Sequence, residues 1–238
     1  MLAIAIDSSQ DICTLTLGAD STLLAEYSFR HKMNLLRRIV PNIERILAGT
    51  DHSVQDLDGI VVAVGPGSFT GLRIGVTTAK SLAYTLAKPI VGVGTLDAIA
   101  RSVSPVKSDL ICPMIFARAR EVYWSLFDST ARERLSDYAV SPIDEVLDTL
   151  AARGGSIHFC GTGARRNADD IASRFADTAL IAPPWSDVAR GAALLQIGIE
   201  RLESGNVDDA FTLAPMYVRK PTPVLRLEAK EAGKIADD

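Results

Sequence analysis

Val61–Ala87, VVAVGPGSFTGLRIGVTTAKSLAYTLA, decides how this chain folds. A β-branched stretch runs into a glycine turn, and a helix of small residues follows at once. Gly65, Gly67, Gly71 and Gly75 are succeeded by Ala79, Ala83 and Ala87. Glycine in a strand-to-helix turn lets the backbone take positive φ or approach another group closely. A helix starting there points free N–H groups outward, which suits an anion. Small residues every fourth position instead let a second helix come near. Residues spaced by four drift about 40° per step around a helix. The stripe therefore cannot face a single surface, and part of it is expected to meet something other than its own sheet.

The rest of the chain sets bounds. Its 238 residues can bury a substantial core, and 47% hydrophobic residues fit a globular domain rather than a disordered one. A formal net charge of -4 argues against wide non-specific nucleic-acid binding. MLAIAIDSSQ lacks the basic start of a signal peptide, and no apolar run approaches the roughly 20 residues that span a bilayer. Cys13, Cys112 and Cys160 are odd in number and scattered, which suits reduced thiols in a cytoplasm. The expected localisation is cytoplasmic, with no membrane contact.

Outward from the opening motif, Leu2–Ile6, Ile12–Leu17 and Thr22–Ser28 read as an antiparallel meander. Leu35, Leu36, Ile39, Val40, Ile43, Ile46 and Leu47 recur at helical spacing, with Pro41 expected to kink or divide the helix. Ser53–Asp56 reads as a capping box, Gly59–Val64 and Ile90–Val93 as strands, and Thr95–Val103 as a helix. SVSPVKS, Ser102–Ser108, is the expected domain boundary. Beyond it Leu110–Phe116 and Val122–Phe127 read as a hairpin. A helix capped by Ser141 with Pro142 in its first position follows. Next come a strand at Ile157–Cys160, a helix at Ala164–Phe175, a strand at Ala179–Ala182 and a helix at Asp187–Leu202. The expected organisation is a domain over 1–104, a second α/β domain over 105–220 and a charged, poorly ordered tail over 221–238. Each half opens with antiparallel strands and continues as β-α units, the mark of a diverged duplication.

Several chemistries fail on spacing. His31, His52 and His158 form no metal-binding pair. Neither glycine segment supplies the Lys-Ser/Thr of a Walker loop, and Thr70 and Arg166 stand where a dinucleotide fingerprint needs its third glycine. Ser68 lacks the G-x-S-x-G frame of a nucleophile elbow, because Pro66 and Thr70 flank it. An anion could sit on Ser68, Thr70 and Gly71 beside Arg73; the preferred alternative is that Ser68 or Thr70 caps the helix. Asp7 could hold a Mg²⁺-phosphate, the preferred alternative being that it bonds backbone N–H groups of its own turn.

Asp7-Ser8-Ser9, the string from Gly65 to Gly75 (GPGSFTGLRIG) and Ala79–Ala83 (AKSLA) together resemble the TsaB (YeaZ) family. Val91–Ala100, Glu121-Val122-Tyr123 and Pro215–Arg219 continue the likeness, which spans about residues 1–220. The resemblance implies an α/β chain of the actin-like (ASKHA, ribonuclease H-like) fold, built as two duplicated domains. It implies a non-catalytic subunit required for N6-threonylcarbamoyladenosine (t6A37) formation in tRNA, scaffolding a TsaD-like threonylcarbamoyl transferase as a heterodimer that a TsaE-like ATPase joins. TsaD-like proteins carry a metal-binding H-x-x-x-H where this chain reads Val93-Gly94-Thr95-Leu96-Asp97. TsaB-like chains often carry an acid where Phe116 stands, so Asp7 is left as the evident acidic candidate for a metal-phosphate.

These readings place the partner interface on Leu36, Val40, Ile43, Leu72, Gly75, Ala79 and Ala83. They leave Asp7, Ser68, Thr70 and Gly71 as nucleotide or anion candidates, with no catalytic or metal residue. No cofactor of its own is expected, ATP or ADP belonging to the complex; tRNA is reached through the complex, and an isolated chain can self-associate through the same face. The alternative is an ATP-binding actin-like ATPase or phosphotransferase. A third option is an M22-type glycoprotein endopeptidase homologue.

Overall fold

A computed structural model describes residues 1–31 and 34–218. Arg219 and the expected tail at 221–238 lie outside the described residues.

The first sheet forms around β1 (Leu2–Asp7) and β4 (Gly59–Gly65), apolar strands buried along their whole length. A strand covered on both faces needs such a continuous run. β2 (Ile12–Ala19) and β3 (Thr22–Arg30) add antiparallel on one side, with Ile4 opposite Leu17; β4 and β5 (Ile90–Gly94) add parallel on the other. The order is β3-β2-β1-β4-β5. The second sheet repeats this plan. Its central β6 (Leu110–Arg118) pairs antiparallel with β7 (Glu121–Trp124), which pairs with β9 (Ala139–Pro142). On the other side β6 pairs parallel with β10 (Ile157–Cys160), and β10 with β11 (Ala179–Ile181). The duplication is visible in the topology.

Alternation along the strands sorts the layers. Ile4, Ile6, Ile60, Val62 and Val64 face α1 (Leu35–Ala48) and α2 (Phe69–Leu86). Ala3, Ala5, Val61, Ala63, Val91 and Val93 face the opposite way, onto α3 (Thr95–Val103) and α7 (Gly191–Glu203). That middle layer is shared, because Ile111, Ile115 and Cys160 of the second sheet join the same core. α4 (Ile143–Arg153) and α6 (Ala168–Phe175) cover the outer face of the second sheet. No helix among the described residues is long and apolar enough to cross a membrane.

Several expectations are corrected. α1 runs unbroken through Pro41; the Asn42 side-chain amide bonds the Arg38 carbonyl at 2.8 Å within that turn. The strand expected at Val122–Phe127 is two, because Ser125 turns its hydroxyl to the Ser136 carbonyl (2.8 Å) and β8 (Phe127–Asp128) then pairs with the start of β6. Ser141 belongs to β9 opposite Val122, so Pro142 takes the cap position of α4. The helix expected at Ala164–Phe175 is α5 (Thr162–Arg166) and α6, divided at Asn167. The final helix starts at Gly191 rather than Asp187. That helix packs on the first sheet, and Leu213 and Met216 join the first sheet's outer core. Residues 105–220 are therefore not one contiguous packing unit.

Candidate functional site

Two turns meet at the centre of the molecule. The chain leaves β1 through Asp7-Ser8-Ser9 and enters α2 through Pro66–Thr70. Ser68 N donates to the Ser9 carbonyl (2.6 Å), and the Ser8 hydroxyl to the Gly71 carbonyl (2.8 Å). A Cβ at Gly67 would overlap the Ser9 carbonyl oxygen, one at Gly71 that of Ser8, and one at Gly75 the Ser8 hydroxyl. The glycines are there because the Asp7–Ser9 turn leaves no room for a methyl group.

Asp7 lies beneath this contact, 5% exposed, its Oδ1 accepting from Ser9 N at 2.8 Å. Burial pushes its carboxyl above the ordinary aspartate range. Ser68 caps α2, its Oγ accepting from Gly71 N at 3.2 Å. Both preferred capping alternatives match the observed hydrogen bonds. Arg73 turns away, its guanidinium 4.0 Å over Phe69 and its Nε donating to the Tyr217 hydroxyl at 3.1 Å.

Above the two turns a cleft of about 880 Å³ opens between the halves. Ser68 lines it, whereas Asp7, Thr70 and Gly71 do not. Ser9 and Gln10 form part of its wall, and Ser9 Oγ and Gln10 Nε2 are buried with no hydrogen-bond partner among the described residues. Across the cleft Thr162 Oγ reaches Gln10 Oε1 (3.3 Å), and Phe116 lies under the Arg166 guanidinium at 3.9 Å. Sequence reasoning missed Gln10, Thr162, Arg166 and the exposed Trp185 of this wall. The Gly161-Thr162-Gly163 turn was the available signal, since it repeats in the second half the strand–turn–helix junction of the first.

The seven interface candidates separate in the structure. Leu36 is 71% and Val40 49% exposed on the outside of α1, but Ile43, Leu72, Gly75, Ala79 and Ala83 are buried. Those five lie on the inward side of α1 and α2, against the sheet and the Ser8–Ser9 turn, so the small-residue stripe is not on the outer face as expected. The outward stripe of α2 is instead Thr70, Thr77, Ser81 and Thr85, with Tyr84 beside Phe211. Among the described residues no group of three or more His, Cys, Asp or Glu side chains is placed to hold a metal.

The tRNA threonylcarbamoyladenosine biosynthesis protein TsaB of Bacillus subtilis is 41% identical over 222 residues, covering 92% of this chain and 94% of its own. The chain belongs to the TsaB family. The Escherichia coli TsaB is 33% identical over 52% of this chain and 54% of its own length. Over residues 27–182 the chain also belongs to the sequence family described as "TsaD: tRNA N6-adenosine threonylcarbamoyltransferase". Among solved structures, YeaZ from Pseudomonas aeruginosa superposes with a TM-score of 0.74 at 22% identity, over 91% of this chain and 99% of that one. The ethanolamine utilization protein EutJ of Carboxydothermus hydrogenoformans gives 0.52 at 8% identity, over 83% and 90%. The fold is thus the actin-like α/β fold that the TsaB likeness implied.

Proposed function

We propose that this chain is a non-catalytic subunit in tRNA threonylcarbamoyladenosine biosynthesis that supports a TsaD-like transferase in a heterodimer, through the outer faces of α1 and α2. The observation that carries the reading is the pair Leu36 and Val40, largely uncovered on a helix whose other large aliphatic residues are buried. Two such residues one helical turn apart form an anchor for a partner helix. The non-catalytic part is supported by the cleft. The carboxylates on its wall, Asp11, Glu26 and Asp187, are each paired with an arginine (Arg30, Arg190 and Arg165), Asp7 beneath it accepts from Ser9 N, and β6 of the second half presents Phe116 under Arg166. In this reading the chain holds no cofactor of its own, a TsaE-like ATPase joins the pair, tRNA is reached through the complex, and the setting is the cytoplasm.

Co-purification with the transferase tests the docking face: Leu36→Asp with Val40→Asp should abolish it while the melting curve stays that of the parent. Depletion of the protein, read by mass spectrometry of tRNA nucleosides, tests the role. Unchanged threonylcarbamoyladenosine would sink it. One observation favours a second reading, a nucleotide-binding protein: Ser9 Oγ and Gln10 Nε2 stand unpartnered at the cleft wall beside the start of α2. Calorimetry of the isolated chain with Mg-ATP separates the two, since the subunit reading requires no binding heat.

A further inference from the structure

The outer layer of the first half carries charge of the opposite sign to the molecule. α1 and α2 bear five cations, Arg37, Arg38, Arg45, Arg73 and Lys80, against one carboxylate, Glu44. The whole chain has a formal net charge of -4. Among the described residues none of the five meets a carboxylate within salt-bridge distance, whereas Arg101, Arg120, Arg165 and Arg190 on other surfaces all do.

Four of the five are nevertheless held in place by neutral groups. Arg38 stacks 4.2 Å over Phe29 and donates to the Arg30 carbonyl at 3.0 Å, and Arg45 lies 5.9 Å over Tyr27. These form a rim on the β3 side. On the far side Arg73 is fixed by Phe69 and Tyr217, and Lys80 donates to the carbonyls of Phe211 (3.1 Å) and Leu213 (2.8 Å). The segment Phe211–Val218 that holds them contains no charged residue. Ring faces and carbonyls orient a cation without neutralising it. Between the rims lie Leu36 and Val40 on α1 and the uncharged Thr77 and Ser81 on α2. An apolar centre inside a polar rim is the anatomy of a protein interface.

We propose that this face selects a protein partner whose docking surface is acidic around an apolar centre, and that the same charges act against a second copy of the chain. The proposal rests on the reading above that α1 and α2 form the docking face. A twofold self-pairing would set one cationic face against another, and like charges across an interface penalise the wrong partner. An acidic partner meets cations already positioned, so less side-chain freedom is lost on binding.

The test measures binding to the purified TsaD-like partner from about 50 to about 500 mM NaCl, a range over which exposed charges become screened. Affinity of the unmodified chain should fall by about tenfold, and Arg37→Glu with Arg45→Glu should weaken binding about tenfold at the low-salt end only. Self-association, followed by sedimentation, should strengthen as salt rises. Affinity that is flat in salt and untouched by the charge reversals, while Leu36→Asp still blocks the complex, overturns the charge proposal and leaves the docking face standing. If Leu36→Asp and Val40→Asp have no effect, the docking face itself fails. Charge reversals that spare the partner but abolish low-salt tRNA binding assign the face to RNA and overturn the proposal.

Discussion

At Gly71 one methyl group decides whether the two central turns can meet. The Ser8 carbonyl occupies the space a Cβ would need, and backbone cannot move aside as a flexible side chain can. Gly71→Ala should therefore destabilise the protein by about 1–3 kcal/mol or more in urea unfolding, even though alanine is the better helix former by about 1 kcal/mol. Gly75→Leu should act in the same direction through Ser8, which makes it a test of folding and not of partner binding. Asp97 gives a residue-scale prediction in pH. Burial raises its carboxyl to about 6 despite the opposing charge of Arg134. The folded state thus holds a proton that the unfolded chain, with an ordinary aspartate value of 3.8, releases. Between about pH 4 and 6 the native state binds more protons, so this group's contribution to stability falls as pH rises through that window. The loss is at most on the order of 3 kcal/mol. Asp97→Asn should flatten that slope and leave the variant more stable than the parent at pH 7; an unchanged pH profile of the melting temperature would contradict it.

At the scale of elements, periodicity and contact carry different information. The spacing of α1 makes a helix evident, yet it groups Leu36 and Val40 with Ile39 and Ile43 as one apolar set. Only the packed sheet separates them, leaving the first pair in solvent and the second in the core. Leu36→Asp and Val40→Asp should accordingly change stability by about 0.5 kcal/mol or less, as exposed substitutions do. Ile43→Asp buries a charge and should prevent folding. Circular dichroism melts of the three variants distinguish the outcomes, and a folded Ile43→Asp would mean that α1 is not seated as described. The same limit explains the small-residue stripe. Its glycines and alanines fit a close approach, but the approaching group is the Ser8–Ser9 turn and the home sheet, a long-range pairing that no local pattern announces. β9 was missed because Ala139–Pro142 has neither alternation nor length of its own; pairing with β7 defines it.

For the whole molecule, the duplicated plan was legible because each half repeats antiparallel strands followed by β-α units, and the strand orders bear this out. The path of the last helix was not, since an amphipathic segment does not say which sheet it covers. α7 returns to the first half: Leu202 packs over Gly59, and a Cβ at Gly198 would overlap Val61. The following stretch ties in further, with Asp208 accepting from Gly92 N (2.7 Å) and Met216 N donating to the Val64 carbonyl (2.6 Å). A fragment of residues 1–104 would leave Ala3, Ala5, Val61 and Val91 without the α7 side chains that bury them. Apolar area uncovered in this way costs about 25 cal/mol per Å², against a stability margin of only about 5–15 kcal/mol for an ordinary domain. The full chain should accordingly unfold in one cooperative step, with calorimetric and van't Hoff enthalpies in agreement. The 1–104 fragment should show no cooperative transition, and adding residues 191–218 through a linker should restore one. A fragment 1–104 that melts cooperatively near the temperature of the full chain would show that the shared middle layer is not what holds the halves together.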